Sequence, residues 1–235
     1  MEQMTAMTET TIERLLRLDA ASNAMGVRLS ERSSTSIVLE QDIVPELSDH
    51  RGHVGLPAMS VLLDTALGAG AYVGASTEPL AVVANMSVSI AHPMPNFGTV
   101  WATGSPIFRD TNSGTALSRA ELHDSQGRIL LTAKGRIAEV DRPLLDLSSE
   151  PPRKGFSSRR TDVSSSTDAD GIALLRGCIE ESASIGSLTS AYGVEIKTVD
   201  RGQVRASFES QVWMLNGLGS IQGGVLVGAM ASSRS

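Results

Sequence analysis

Cysteine is almost missing: Cys178 is the only one in 235 residues. A single thiol excludes an intrachain disulfide framework and a cysteine-rich zinc ribbon, and it fits a reducing compartment. Basic residues are also short, with 20 Lys and Arg against 26 Asp and Glu and a net charge of −6. That balance argues against general nucleic-acid binding, which needs a basic footprint, though a small local basic pocket stays possible. The N-terminal MEQMTAMTETTIERLL has no basic segment leading into an apolar one, so no signal peptide is read and the cytoplasm is the expected location. The four histidines, His50, His53, His92 and His123, show no metal-ligand spacing. Nucleophile-elbow, P-loop and dinucleotide fingerprints are absent too, so neither a metal nor a redox cofactor is expected.

What is present is a core: 41% of residues are hydrophobic. Its centre is Val54 to Thr77, VGLPAMSVLLDTALGAGAYVGAST, whose single charge is Asp64. Pro57 suits a first helical turn. Apolar side chains point nearly all round, which marks a buried helix. The run is long enough to span a membrane, at more than ~20 residues. However, a central Asp costs roughly 2.5–3.5 kcal/mol on insertion, and the flanking sequence reads as sheet. A buried carboxylate is costly unless paired, hydrogen-bonded or neutralised. Burial raises its pKa, which suits proton transfer near neutrality.

Before this run, Thr8 to Ala21 has helical spacing, with Thr8 or Thr11 as the expected cap. Gly26 to Val44 alternates as two short strands or one bulged strand. After it come four strand-like runs, Leu80–Ala91, Gly98–Arg109, Thr115–His123 and Arg128–Val140, separated by PMPNFG, DTNSG and DSQG. Such separators make hairpin loops. The reading is an α+β domain over residues 8–140, with a curved antiparallel sheet wrapped round the apolar helix. Residues 141–171, rich in Pro, Ser and mixed charge, read as a flexible linker.

Residues 172–235 look like the beginning again. A shift of 167 residues lays AMGVRL (Ala24–Leu29) on AYGVEI (Ala191–Ile196), Gly52 on Gly219, and the start of the apolar helix on Gly223–Met230. This second copy reads as incomplete, stopping inside its apolar helix.

The loop Asn216-Gly-Leu-Gly219-Ser-Ile-Gln222-Gly223-Gly224 and the helix segment Leu62-Leu63-Asp64-Thr65-Ala66 resemble hot-dog fold acyl-CoA thioesterases of the phenylacetate-pathway type. Ile90-Ala91-His92-Pro93 and the meander after it resemble them too. That family's signature is Asn-x-x-Gly-x-x-His-Gly-Gly, with an acid nine residues after the His. The resemblance implies a tandem, double hot-dog arrangement with a truncated second unit. It also implies sites built across the interface, with the loop from one unit and the acid from the other.

The departures are complementary. The first copy has Asp49, Gly55, Leu56 and Pro57 in place of Asn and His-Gly-Gly, but keeps Asp64. The second keeps Asn216 and the glycines, with Gln222 for the His and Ala231 for the acid. One composite site is therefore expected, Asn216, Gln222 and Gly223 facing Asp64, while Asp49, Gly55 and Leu56 facing Ala231 read as dead. In that site Asp64 serves as general base or nucleophile. The Gly223 N–H, at a helix start, serves as oxyanion donor. Gln222 and Asn216 orient carbonyl or water. The resemblance suggests a Ser or Thr ten residues before Pro93; Val83 stands there, with Asn85 as a same-face substitute. Val83 and Leu62 are expected beside the acyl chain, with Gly224 in the glycine loop. The implied activity is hydrolysis of an acyl-CoA, with self-association through the hot-dog unit as a further expectation. The rival readings are a non-catalytic acyl-CoA-binding or assembly module and an inactive fragment.

Overall fold

The computed structural model describes residues 10–145, 171–180 and 186–232. Helix α1 (Thr11–Leu18) opens on a capping box, with Thr10 and not Thr8 or Thr11 as the cap. The Thr10 hydroxyl accepts the Glu13 N–H, and the Glu13 carboxylate accepts the Thr10 N–H at 2.8 Å. The helix expected to reach Ala21 is in fact two. Asp19 takes extended backbone angles, ends α1 and caps α2 (Ala20–Ala24) by accepting the Ser22 N–H at 2.9 Å.

Strands β1 (Arg28–Arg32) and β2 (Ile37–Ile43) pair antiparallel across a bulge between Leu29 and Glu31. A 3-10 turn at Pro45–Leu47 leads to α3 (Leu56–Ala71), which carries Pro57 in its first turn. The helix stops short of the apolar run because Tyr72 to Gly74 form a turn, with Gly74 at φ +71 against the Ser34 carbonyl. Strands β3 (Ala81–Ile90), β4 (Gly98–Asp110), β5 (Thr115–His123) and β6 (Ile129–Glu139) complete a six-stranded sheet in the order β1-β2-β4-β5-β6-β3. Every pairing is antiparallel. Its inner face, with Leu39, Val100, Ala102, Leu122 and Leu131, closes on Leu62, Leu63 and Leu67 of α3. Helix and sheet meet backbone to backbone at Gly70, where a Cβ would lie 2.6 Å from the Gly104 carbonyl carbon. This is the α+β arrangement expected.

Later in the chain come α4 (Gly171–Ile179), α5 (Ser187–Ala191), β7 (Val194–Asp200), β8 (Gln203–Phe208) and α6 (Gly223–Ser232). Here the geometry of residues 20–65 recurs at an offset of 167. The Pro45–Leu47 turn returns as Val212–Met214. The β1–β2 bulge at Leu29/Glu31 returns in β7–β8 at Ile196/Thr198. The bridge Ser48–Val54 returns as Leu215–Ile221. The two segments also exchange matched hydrogen bonds: Ala21 N–H to the Leu215 carbonyl at 3.1 Å, and Leu188 N–H to the Ser48 carbonyl at 3.2 Å.

Residues 146–170, most of the expected linker, lie outside the described residues. Just before them, Leu145 donates its N–H to the Gly217 carbonyl at 2.9 Å and rests its side chain on Gly219. Among the described residues no helix is long and apolar enough to cross a membrane.

Helix α6 crosses α3 through glycines. A Cβ on Gly224 would lie 2.5 Å from the Ser60 carbonyl oxygen and 2.6 Å from the Val61 Cα. One on Gly228 would meet the Tyr192 hydroxyl and, at 2.8 Å, the Ser60 Oγ. Tyr192 donates its hydroxyl to the Pro57 carbonyl at 2.9 Å, fixing the start of α3 to the later segment. Overpacking such a contact costs roughly 1–3 kcal/mol. Gly224→Val should therefore lower the melting temperature by several degrees, at about 2–4 °C per kcal/mol for a chain this size. Gly68→Ala, whose Cβ would meet only Val83 at 3.7 Å, should not. Calorimetry of the two variants checks this.

Candidate active site

Asp64 lies two turns into α3, 6% exposed, where α6 begins. A Cβ built on Gly223 would lie 2.8 Å from Asp64 Oδ1, so a side chain there would press on the carboxylate that glycine leaves in contact with the helix start. The first N–H groups of a helix have no intrahelical acceptor, and the helix dipole is positive at that end. Burial, and then the charge of Asp19, push the Asp64 carboxyl up to about 7; the Gly224 N–H facing it pulls the other way. Asp64 Oδ1 has no hydrogen-bond partner among the described residues.

Beside it lies a buried polar cluster. The Gln222 Nε2 donates to Thr65 Oγ1 at 2.9 Å and to Asp19 Oδ2 at 3.3 Å. Thr65 Oγ1 donates to the Val61 carbonyl at 2.8 Å and lies 2.9 Å from Ser22 Oγ. Gln222 is 3% exposed, and its Oε1 has no partner among the described residues. Burial pushes the Asp19 carboxyl up to about 6, against the lowering effect of hydrogen bonds from Ser22 and Gln222.

Asp19, Asp64 and Gln222 line a cavity of about 400 Å³. Ile12, Leu15 and Leu16 from α1, Val83 from β3 and Leu226 from α6 supply apolar wall. Gly223 and Asn216 line it as well. The Asn216 side-chain oxygen, however, accepts the Leu218 and Ser220 N–H groups at 3.0 and 3.1 Å, which closes its own loop. Asp49 does the same for Arg51 and His53 at 2.8 and 2.9 Å.

Three sequence expectations change position. A bulge at Ala84 breaks the alternation of β3, so Asn85 pairs with Arg136 and is exposed, while Val83 faces in opposite Ile137. Asn85 is therefore not on the Val83 face. Leu62 is fully buried beneath the sheet and Gly224 is buried in the helix crossing; neither lines the cavity. Sequence reasoning missed Asp19, Ser22 and Thr65. Asp19 interrupts an apolar helical pattern and is followed at once by Ala-Ala-Ser, a capping signal that was readable.

At the matching positions 167 residues away a smaller cavity, about 70 Å³, is lined by Leu47, Asp49, His53, Gly55, Leu188 and Ser232. By the same offset Leu56 answers to Gly223 and Ala231 to Asp64, and neither lines that smaller cavity. Among the described residues no cluster of His, Cys, Asp or Glu has the arrangement of a metal site.

No protein-family model matches the chain, and no curated protein matches it in sequence. Solved structures do. A thioesterase from Haemophilus influenzae superposes with a TM-score of 0.50 at 14% identity, over 57% of this chain and 93% of that one. The PaaI protein of the Escherichia coli phenylacetic acid degradation operon gives 0.47 at 18% identity, over 55% and 89%. A thioesterase family protein from Silicibacter pomeroyi gives 0.48 at 14%, over 54% and 93%. The chain has the hot-dog fold: an antiparallel sheet closed round a helix.

The raised carboxyl of Asp64 has a thermodynamic signature. A group whose folded pKa exceeds its unfolded value binds a proton that the unfolded chain has released. Its stabilising contribution is present below the ordinary value of 3.8 and is lost as pH rises towards about 7. Asp64→Asn should therefore melt higher than wild type at pH 8, on the order of 5 °C, and the gap should close near pH 4. Melting curves across that range check it.

Proposed function

We propose that the chain hydrolyses an acyl-CoA thioester at the site between α3 and α6. The observation that carries this reading is the contact of a buried carboxylate, Asp64, with the glycine start of a helix at Gly223. Thioester hydrolysis needs a base or nucleophile and a donor for the developing oxyanion, and these two features supply them.

In this reading the acyl chain lies along the apolar wall formed by α1, Val83 and Leu226, and the thioester carbonyl accepts the Gly223 N–H. Asp64, with a pKa near 7, takes a proton from water as the water oxygen bonds to the carbonyl carbon. The carbonyl π electrons move to the oxygen held at the helix start. Collapse of that intermediate breaks the C–S bond. The thiolate leaves without much help, since a thiol of pKa about 8.5 is a good leaving group. The products are a carboxylic acid and free coenzyme A. Direct attack by Asp64 on the carbonyl is the variant chemistry; one turnover in H2 18O would leave the label out of the acid and in Asp64 only if that variant operates.

The recurrence at 167 residues supports a tandem origin for the site, one hot-dog unit giving the acid and the second giving the loop. It also supports reading the matching cavity as inactive. The lone Cys178 and the use of coenzyme A fit a cytoplasmic enzyme.

The test is free-thiol release from short, medium, long and aromatic acyl-CoAs. Wild type should turn over at least one of them, and Asp64→Asn should be slower by at least about a hundredfold. The kcat/KM of wild type should rise with pH through about 7 as Asp64 ionises. Gly223→Ala, whose methyl meets Asp64 Oδ1, should lose about a hundredfold or more in kcat. Stabilisation by acyl-CoA without turnover would instead make the chain a binding module.

A further inference from the structure

We propose that the cavity beside Asp64 takes a straight acyl chain of about eight to ten carbons, and that Gly68 is the residue that keeps its far half open. The proposal rests on the hydrolase reading above and names the acyl class for it.

Two helices border the cavity, and each gives it one stripe of side chains. From α1 and its cap the stripe is Ile12, Leu15, Leu16 and Asp19, the spacing of a single helix face. Along α3 it runs from Asp64 through Gly68 to Tyr72. Each stripe has its acid at one end, and the two acids share that end: Gln222 Nε2 donates both to Asp19 and to Thr65, the residue after Asp64. The remainder of each stripe is uncharged. A cavity polar at one end and apolar along its length suits a thioester carrying a hydrocarbon tail.

The far end lies where α1 begins and α3 stops. There the Glu78 carboxylate accepts the Ile12 N–H at 3.2 Å and pairs with Arg32, which donates to Thr10 Oγ1 at 2.6 Å. Tyr72 is buried there and packs on Ala81 and Val83. From the acids to this end each stripe measures about 10–12 Å, at about 1.5 Å of rise per helical residue. An extended chain of single bonds advances about 1.2 Å per bond, so about eight to ten carbons fill that length. An acetyl or phenylacetyl group leaves the Tyr72 end empty.

Gly68 stands midway along the α3 stripe. Glycine inside a helix is destabilising relative to alanine, so a helical glycine calls for a reason. Gly70 has one in its contact with the Gly104 backbone. A Cβ on Gly68 would meet only the Val83 side chain, at 3.7 Å, so packing does not demand glycine there. The room left by its missing side chain belongs to the cavity. A large side chain at this position would enter the cavity about 6 Å beyond Asp64 and stop an acyl chain at about its fifth carbon.

The test compares kcat/KM for acetyl-, butyryl-, decanoyl-, palmitoyl- and phenylacetyl-CoA in wild type, Gly68→Ala and Gly68→Leu. In wild type the value should rise roughly two- to fourfold for each methylene buried, as far as decanoyl-CoA, and be lower for palmitoyl-CoA. Gly68→Leu should cut the ratio of decanoyl- to butyryl-CoA by at least about a hundredfold, and Gly68→Ala by no more than about tenfold. One preparation serves both substrates, so a loss of folded protein does not move the ratio. Calorimetric titration with S-butyl- and S-decyl-CoA, thioethers that cannot be hydrolysed, reads the same preference without turnover. Tighter binding of the decyl form that is lost in Gly68→Leu, with no acyl-CoA hydrolysed, would uphold the length preference and overturn the hydrolase reading. Palmitoyl- or phenylacetyl-CoA turned over as well as decanoyl-CoA, or an unchanged ratio in Gly68→Leu, would overturn the length preference and leave the hydrolase standing. No turnover and no preference between the thioethers would overturn both.

Discussion

The carboxylate of Asp64 is buried against the start of a second helix, and much of the architecture serves that contact. A lone charge inside an apolar helix destabilises the fold unless something favours it. Here the compensation is the positive end of α6, reached because Gly223 and Gly224 remove the side chains that would hold the helices apart. Gly224 also brings α6 against Ser60 and Val61, so packing and electrostatics depend on one crossing. The compensation is partial, since burial still outweighs the Gly224 N–H in setting the acidity of Asp64.

Burial has a second consequence through Asp19. Two carboxyls line one cavity, and each is shifted towards neutrality by lack of water. Asp19 is tied by a backbone N–H and a side-chain amide, whereas Asp64 Oδ1 is left without a partner. The two acids differ in their bonding and not in the direction of their shift. The break between α1 and α2 is what brings the first of these acids to the cavity wall.

The fold was largely legible in the chain. The apolar run from Val54, the hairpin separators and the alternation of the later strands define the sheet and helix that the structure contains. The placement of Asp64 beside Gly223 also followed, through the offset between Gly52 and Gly219 and the resemblance it supported. What could not be read were local register and side-chain direction. Nothing in AVVANMSV marks Ala84 as a bulge, so Asn85 fell on the wrong face. Asn216 looked free to meet a ligand, but its oxygen is spent on its own loop. Asp19 did carry a capping signal, Asp-Ala-Ala-Ser, but helical spacing runs on past it, because periodicity persists through a break that costs only one residue of extended backbone.

The offset pairs differ around the larger cavity. Gly186 answers to Asp19, Gly55 to Gln222, Leu56 to Gly223 and Ala231 to Asp64. In an assembly of identical chains any substitution is written twice, so each change must suit both interfaces at once. Here the two halves of the contact carry independent codons. Leucine stands at position 56 while glycine clears the helix crossing at 223 and 224. A change that improves one cavity leaves the other untouched, so natural variation and engineered variants can reshape the larger cavity without the symmetry burden borne by a homodimer.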